Sequence, residues 1–132
     1  MHLLHATRLL LPVLAFTAGC SPQESDARIG SPRPPRADAC DLVVVNAMSP
    51  TTFNSYEQVG VVRLSNVPAG TDPMDPSVRA IVRPRACALG GEAISVMASG
   101  DAVSRNGLRT TAYAAYVVWA KKRALSKGPE KF

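Results

Sequence analysis

The sequence predicts a small α+β domain whose strands and single helix follow the order β-β-α-β-β. Short apolar runs rich in valine are separated by turn residues, which is the pattern of strands in an antiparallel sheet. One stretch between them keeps helical spacing and is bounded by helix start and stop signals. For this order the simplest arrangement is a mostly antiparallel sheet with one helix packed on one face.

Four segments have the length and composition of strands. The first is Cys40–Asn46 (CDLVVVN), whose three consecutive valines favour a strand over a helix. After a loop with proline and asparagine, the second is Tyr56–Leu64, in which Gly60 is a candidate bulge. Glu92–Ala98 and Arg109–Ala120 follow as the third and fourth strands, joined by a polar loop.

The helix lies between the second and third strands. It begins at Asp75-Pro76, where an N-cap residue precedes a proline at the first helical position. Apolar residues at 78, 81, 82 and 89 keep helical spacing, and the glycine pair at 90–91 ends the helix. Because Pro84 lies inside this run, we expect a kink or a break near Arg83.

The N-terminus has the layout of an export signal. Residues 1–8 carry Arg8, and ten apolar residues follow at 9–18. An apolar run of that length is typical of a cleaved signal and is too short to span a bilayer. The signal peptide is therefore predicted to cover residues 1–19.

The end of this signal resembles the bacterial lipobox, with small residues at the two positions before Cys20. The resemblance implies cleavage after residue 19, a diacylglycerol thioether on Cys20 and acylation of the new amine. Several acyl chains hold a protein stably on a membrane. In enterobacterial lipoproteins an aspartate after the lipidated cysteine favours retention in the inner membrane. The resemblance therefore implies that Ser21 favours the outer membrane, with the domain facing the periplasm. The alternative is an ordinary secretory signal that leaves a free Cys20.

The remaining chain divides into three parts. Residues 20–38 are predicted to be the lipidated cysteine and a disordered tether rich in proline and arginine, because too few apolar residues are present to offset the entropy of ordering. Residues 39–120 form the predicted domain. Residues 121–132 form a basic C-terminal tail.

With Cys20 assigned to lipid, Cys40 and Cys87 remain, in a compartment where such pairs are usually oxidised. Packing the helix on the sheet could bring them together. A bridge closing about 48 residues would stabilise the domain by roughly 4 kcal/mol in the chain-entropy model. Two buried thiols, or a bond to a partner, are the alternatives.

The predicted mature chain has no histidine, because His2 and His5 both lie in the predicted export signal. Histidine-based triads, zinc sites and proton shuttles are thereby excluded in the mature chain. The carboxylates are scattered, and no glycine loop has the spacing of a phosphate cradle. We therefore expect that the protein is not an enzyme and that it binds neither a cofactor nor a metal ion. Tyr113, Tyr116 and Trp119 on the fourth strand are interpreted as core or flanking contacts in preference to a binding platform.

The chain carries 15 Lys+Arg and 10 Asp+Glu, a formal charge of +5. An exported protein rarely meets nucleic acid, so the natural counter-charge is an anionic surface of the envelope. Simple solvation of these charges is the alternative. The candidate anion-binding residues lie on the helix and in the tail: Arg79, Arg83, Lys121, Lys122 and Arg123.

The lipobox, the spacer and the architecture of the predicted domain are similar in layout to the outer-membrane sensor lipoproteins of the Rcs stress phosphorelay. The lipobox, the proline-rich spacer and the stretch YEQVGVV…PSVRAIVRPRACALGGEAISV carry this similarity, in which a Val-Gly strand precedes a helix that ends in a small-residue turn. Those proteins carry two disulfides, whereas this chain can form only one after lipidation of Cys20. No partner-contact residue transfers by motif.

The sequence therefore predicts a non-enzymatic envelope lipoprotein whose domain binds another protein, in sensing or in assembly. The rival interpretation is a structural or ligand-binding module for an anionic cell-envelope polymer, with the helix arginines and the basic tail as its contacts. Salt dependence separates the two, because polymer binding weakens steeply as salt rises.

Overall fold

The computed structural model describes residues 22–103 and 106–123. In chain order the elements are β1 (Gln23–Arg28), β2 (Val43–Val44), α1 (Pro50–Ser55), β3 (Tyr56–Pro68), α2 (Pro76–Ala88), β4 (Ala93–Val103) and β5 (Arg109–Lys121). The five strands form one sheet in the spatial order β1-β3-β5-β4-β2. Three of the four pairings are antiparallel, and β2 runs parallel to β4. The predicted α+β class is confirmed.

The main core lies between α2 and one face of the sheet. Val78 and Val82 keep the predicted helical spacing and are buried on this face. They belong to the same cluster as Val62 of β3 and Val118 of β5, which are fully buried. Because successive strand residues point to opposite faces, alternate apolar positions of β3 and β5 supply this layer. Its burial is the main source of stability.

Trp119 organises a smaller core on the opposite face of the sheet. Its side chain is 1% exposed, and its indole Nε1 donates a hydrogen bond to Ser95 Oγ at 2.9 Å. Phe53 of α1 meets the indole edge-on, with ring centroids 5.7 Å apart. This end of the face is therefore covered, whereas Tyr113, further along β5, is 46% exposed.

Strand β1 lies in the segment predicted to be a disordered tether, so that prediction is wrong for Gln23–Arg28. Its six residues pair antiparallel with Gly60–Ser65 of β3. Arg85 of α2 adds two ion pairs, to Glu24 at 2.6 Å and to Asp26 at 2.9 Å. All six residues of β1 are exposed. Backbone pairing and ion pairs therefore order a strand that buries no apolar side chain.

The predicted first strand is present but short. Within Cys40–Asn46 only Val43–Val44 is a strand, and it lies at the edge of the sheet beside β4. Both valines are more than half exposed, at 57% and 55%. Consecutive apolar residues are typical of a strand buried on both faces. Here they lie at a sheet edge where both faces are partly open to solvent.

Helix α1 occupies part of the loop expected between the first two strands. Ser49 precedes it and Pro50 opens it, which is a favourable helix start. Thr52 is buried, and its hydroxyl donates to the carbonyl of Asn46 at 2.7 Å. This bond holds α1 against the segment that leaves β2.

Helix α2 runs from Pro76 to Ala88 without the break expected near Arg83. Pro84 lacks an N–H, so the carbonyl of Ala80 loses its intrahelical partner. Ala80 is on the exposed side of the helix, where solvent can take the place of that donor. The continuous helix keeps Arg79, Arg83 and Arg85 on one rigid element.

The C-terminal half of the sheet follows the prediction closely. Strand β4 is longer than expected, reaching Val103, and β5 ends at Lys121, one residue beyond the predicted boundary with the tail.

The disulfide between Cys40 and Cys87 is confirmed, with Cα atoms 5.9 Å apart. It joins the segment before β2 to the end of α2.

Some predictions fall outside the described residues. The export signal, the lipobox with Cys20 and the tail beyond Arg123 belong to this group. Among the residues that the structure describes, no helix is both long and apolar enough to cross a membrane.

Candidate functional site

A small cleft of about 50 Å³ opens between α2 and the edge strand β2. Its walls are mainly apolar, and two guanidinium groups stand among them. The lining residues are Leu42, Val44, Met74, Arg79, Val82, Arg83, Ile94 and Tyr116.

The alternation of side chains along β2 explains one wall. Leu42 and Val44 point to the face that carries α2, and Leu42 packs against the main core. Val45 points to the other face and packs near Trp119. Val44 is thus left half open at the mouth of the cleft, because no further strand among the described residues lies outside β2.

The opposite wall comes from one face of α2. Arg79 and Arg83 are one helical turn apart, so their side chains are neighbours on that face. The helix start is fixed by Asp75, whose carboxylate accepts from the Ser77 backbone N–H at 2.9 Å and from its hydroxyl at 2.6 Å. These hydrogen bonds lower the pKa of Asp75. The position of both arginines therefore follows from a well-capped helix.

Tyr116 of β5 forms part of the floor. Its hydroxyl donates to the carbonyl of Pro73 at 2.5 Å, which holds the turn before α2 against the sheet. Burial, with a smaller effect of the nearby Asp72 carboxylate, raises the pKa of Tyr116 to about 12. The phenol therefore stays protonated at neutral pH and serves as a structural donor.

The two arginines of the cleft form no ion pair with the residues that the structure describes. The ion pairs within residues 22–103 and 106–123 join Arg33 to Glu57, and Arg85 to Glu24 and Asp26. Neither Arg79 nor Arg83 takes part in them, and both are exposed. A more open hollow lined by Pro76, Arg79, Ala80 and Arg83 continues the same basic surface. The site therefore offers two guanidinium groups to an anionic ligand.

The other candidate anion-binding residues lie elsewhere. Lys121 ends β5, and the alternation of the strand places it on the Trp119 face, away from α2. Its N–H donates to the Glu92 carboxylate at 2.7 Å. Lys122 donates its N–H to the carbonyl of Ser55 at 3.0 Å. The structure thus separates these residues and Arg123 from the arginines of the cleft.

Acidic side chains accompany this second basic group. The pKa of Glu57 is lowered, first by its hydrogen bond from Arg33 and also by the charges of Arg123 and Lys122. Arg33 further donates to the carbonyl of Lys121 at 3.1 Å. The charge at the end of β5 is therefore partly balanced within the domain.

The three aromatic residues of β5 do not form a common platform. Tyr116 belongs to the main core, and Trp119 lies on the other face under Phe53. Tyr113 alone among these three is substantially exposed.

The sequence alone does not predict the cleft, although it indicates Arg79 and Arg83 as candidate anion-binding residues. The available signal was the alternation of Leu42 and Val44 in a run of apolar residues, together with basic residues one turn apart on a helix. Joining the two required knowing that β2 lies beside α2. In the described part of the chain, no group of three or more His, Cys, Asp or Glu side chains could hold a metal ion.

Comparisons with known proteins give one structural likeness. The crystal structure of a Francisella virulence factor, FvfA, superposes with a TM-score of 0.49 at 14% identity, over 74% of this chain and 98% of that chain. No protein-family model matches the sequence, and no curated protein matches it.

Proposed function

We propose that this chain is a non-enzymatic lipoprotein of the bacterial envelope, anchored by lipid on Cys20, whose domain binds another envelope protein. The observation that carries the binding role is the cleft between α2 and β2. It joins apolar walls to two arginines without acidic partners among the described residues. A pocket of mixed apolar and charged character suits a protein ligand, since apolar contacts supply affinity and charges supply orientation.

The proposed location is supported by the lipobox and by the disulfide. Lipobox cleavage leaves Cys20 as the mature N-terminus, and Ser21 favours the outer membrane with the domain on the periplasmic side. A disulfide between Cys40 and Cys87 suits an oxidising compartment. The absence of histidine beyond residue 5 supports a role without acid–base catalysis.

The lipid anchor is tested with Cys20→Ala in cells that produce the full chain. We expect the variant to incorporate no radiolabelled fatty acid and to remain as the uncleaved precursor. Cys40→Ala with Cys87→Ala is the matched control, because it removes cysteines without touching the lipobox. Normal processing of Cys20→Ala would contradict the proposal.

Protein binding is tested by placing a photo-crosslinking amino acid at single positions of the full chain in intact cells. Position 83 on the cleft is compared with position 63, since Arg63 is exposed on β3 and points away from α2. We expect a discrete protein adduct from position 83 and none from position 63. Equal, diffuse labelling at both positions would contradict specific binding.

The rival role, binding of an anionic envelope polymer, gives a different result. Retention of the purified chain on isolated cell walls should then fall steeply between low and physiological salt. That outcome, without a discrete protein adduct, would replace the proposed partner with a polymer.

A further inference from the structure

Strand β2 leaves one of its edges without a partner. Val43 and Val45 direct their N–H groups inward, to the carbonyls of Glu92 at 3.1 Å and of Ile94 at 3.0 Å. Because alternate residues of a strand bond to opposite sides, the N–H and C=O of Val44 point outward. β2 is the last strand of the sheet on this side, so no strand among the described residues takes up these groups.

The same residue links this edge to the cleft. The side chain of Val44 lines the cleft, while its backbone forms the open edge. A strand added beside β2 would carry every second side chain on the face of α2. One of them would then lie next to Val44, against Val82 and below the arginines.

The positive charge of the cleft favours acidic residues in such an added strand. Arg79 and Arg83 are exposed and take no part in the ion pairs of the described residues. Carboxylates two positions before and after an apolar residue share its face of the strand. They would therefore meet the arginines, and guanidinium groups bind carboxylates with defined geometry. A second copy of this chain fits poorly, because pairing two β2 edges would bring the same arginines of both copies together.

We propose that the open edge of β2 and the adjoining cleft bind an extended, acidic segment of a partner protein as an added strand. This assignment rests on the proposed protein-binding function and names the chemistry of the partner. Main-chain hydrogen bonds to Val44 would supply affinity. The apolar side chain, with carboxylates two positions away on the same face, would supply specificity.

The experiment uses the full chain purified in detergent from the envelope and a displayed library of random decapeptides as the probe. Recovered peptides should place Asp or Glu two positions from Val, Ile or Leu, on the same face of the strand. Binding of one such synthetic peptide is then measured on Arg79→Glu, on Arg83→Glu and on the control Arg63→Glu. We expect each cleft variant to weaken binding about tenfold through like-charge repulsion, and the control to bind as the wild type does.

Two further measurements test strand addition itself. Proline is tolerated on an edge strand, so Val44→Pro should keep the fold while removing the outward N–H, and should weaken binding about tenfold. Independently of any variant, the peptide should slow hydrogen exchange of the Val44 amide in the wild type. Far-UV circular dichroism and the thermal midpoint of each variant verify the fold.

Several results would overturn the assignment. These are the recovery of no peptide, recovery of peptides without carboxylates, or an unchanged exchange rate at Val44 in the complex. Binding that depends on the arginines but not on Val44, and that poly-glutamate reproduces at equal charge, would indicate polyanion binding instead. If a protein adduct forms in cells while Val44 stays unprotected, strand addition fails and the proposed protein-binding function stands.

Discussion

Replacing both cysteines of the disulfide with alanine should remove a large part of the stability of the domain. Cys40 and Cys87 are 47 positions apart in sequence, and cross-linking a loop of that length contributes about 4 kcal/mol by restricting the unfolded chain. The total free energy of unfolding of a natural domain is roughly 5 to 15 kcal/mol. Alanine is preferred to serine because both positions are buried, and a hydroxyl would lack a partner there.

The loss should also be local. The disulfide holds the chain before β2 on the end of α2, beside the hydrogen bond from the Arg36 N–H to the Cys87 carbonyl at 2.8 Å. Strand β2 itself pairs with β4 over only two residues. Without the bridge, amides in residues 36–45 should exchange faster than those of β3 and β5.

The assay is urea unfolding of the purified chain at neutral pH, followed by circular dichroism and combined with hydrogen exchange. The wild type in excess reductant serves as the control and should lose about the same free energy of unfolding as the double variant. A loss below about 1 kcal/mol, or unchanged exchange in residues 36–45, would refute the reasoning, since the bridge would then restrict neither the unfolded chain nor the edge strand.

Three further predictions concern the two cores. Gly91→Ala should lower the free energy of unfolding by roughly 1 to 3 kcal/mol, because the added Cβ would lie 2.8 Å from the Ala86 carbonyl oxygen; an unchanged urea midpoint would contradict this. Trp119→Phe should cost a similar amount, roughly 1 to 3 kcal/mol, by leaving a void and removing the donor to Ser95 Oγ, and thermal unfolding would detect it. For Tyr116 the folded pKa is raised to about 12 from 10.0. The stabilisation is therefore complete below pH 10 and is lost as the pH rises toward 12. Tyr116→Phe should show a smaller fall of the urea midpoint across that range; an equal fall would assign the alkaline loss to other groups.

The sequence was most informative where side chains pack. The apolar runs of β3 and β5 predict the strands that carry the main core, and Asp75-Pro76 predicts the start of α2 because capping is a local interaction. The pairing of Cys40 with Cys87 followed from their placement on neighbouring elements. The strands and the helix start depend on near neighbours in the chain. The cysteine pairing spans 47 positions, and its prediction depends instead on two cysteines remaining in an oxidising compartment.

The features that the sequence did not reveal depend on tertiary contacts. Gln23–Arg28 has no apolar alternation. It becomes a strand because its backbone pairs with the edge of β3 and its acidic side chains form ion pairs with Arg85 of α2. Three valines in a row suggest a buried strand, yet Val43 and Val44 lie at an edge. Likewise, the sequence identified Arg79 and Arg83 as cations, but only the fold places an apolar cleft and an open strand beside them.

Strand β1 begins at Gln23, three positions after the proposed lipid attachment at Cys20. Under the proposed lipidation only two residues separate Cys20 from the docked strand, so the domain would lie close to the membrane surface. Under that proposal, a force between the membrane and a bound partner would enter the domain through this edge strand, which contributes no side chain to either core. Detachment of residues 22–39 from the domain would extend the chain between Cys20 and the folded part by roughly 60 Å. The detachment would end at Cys40, because the disulfide fixes the chain there to α2. The disulfide thus separates the part of the chain that can yield under load from the part that keeps its shape.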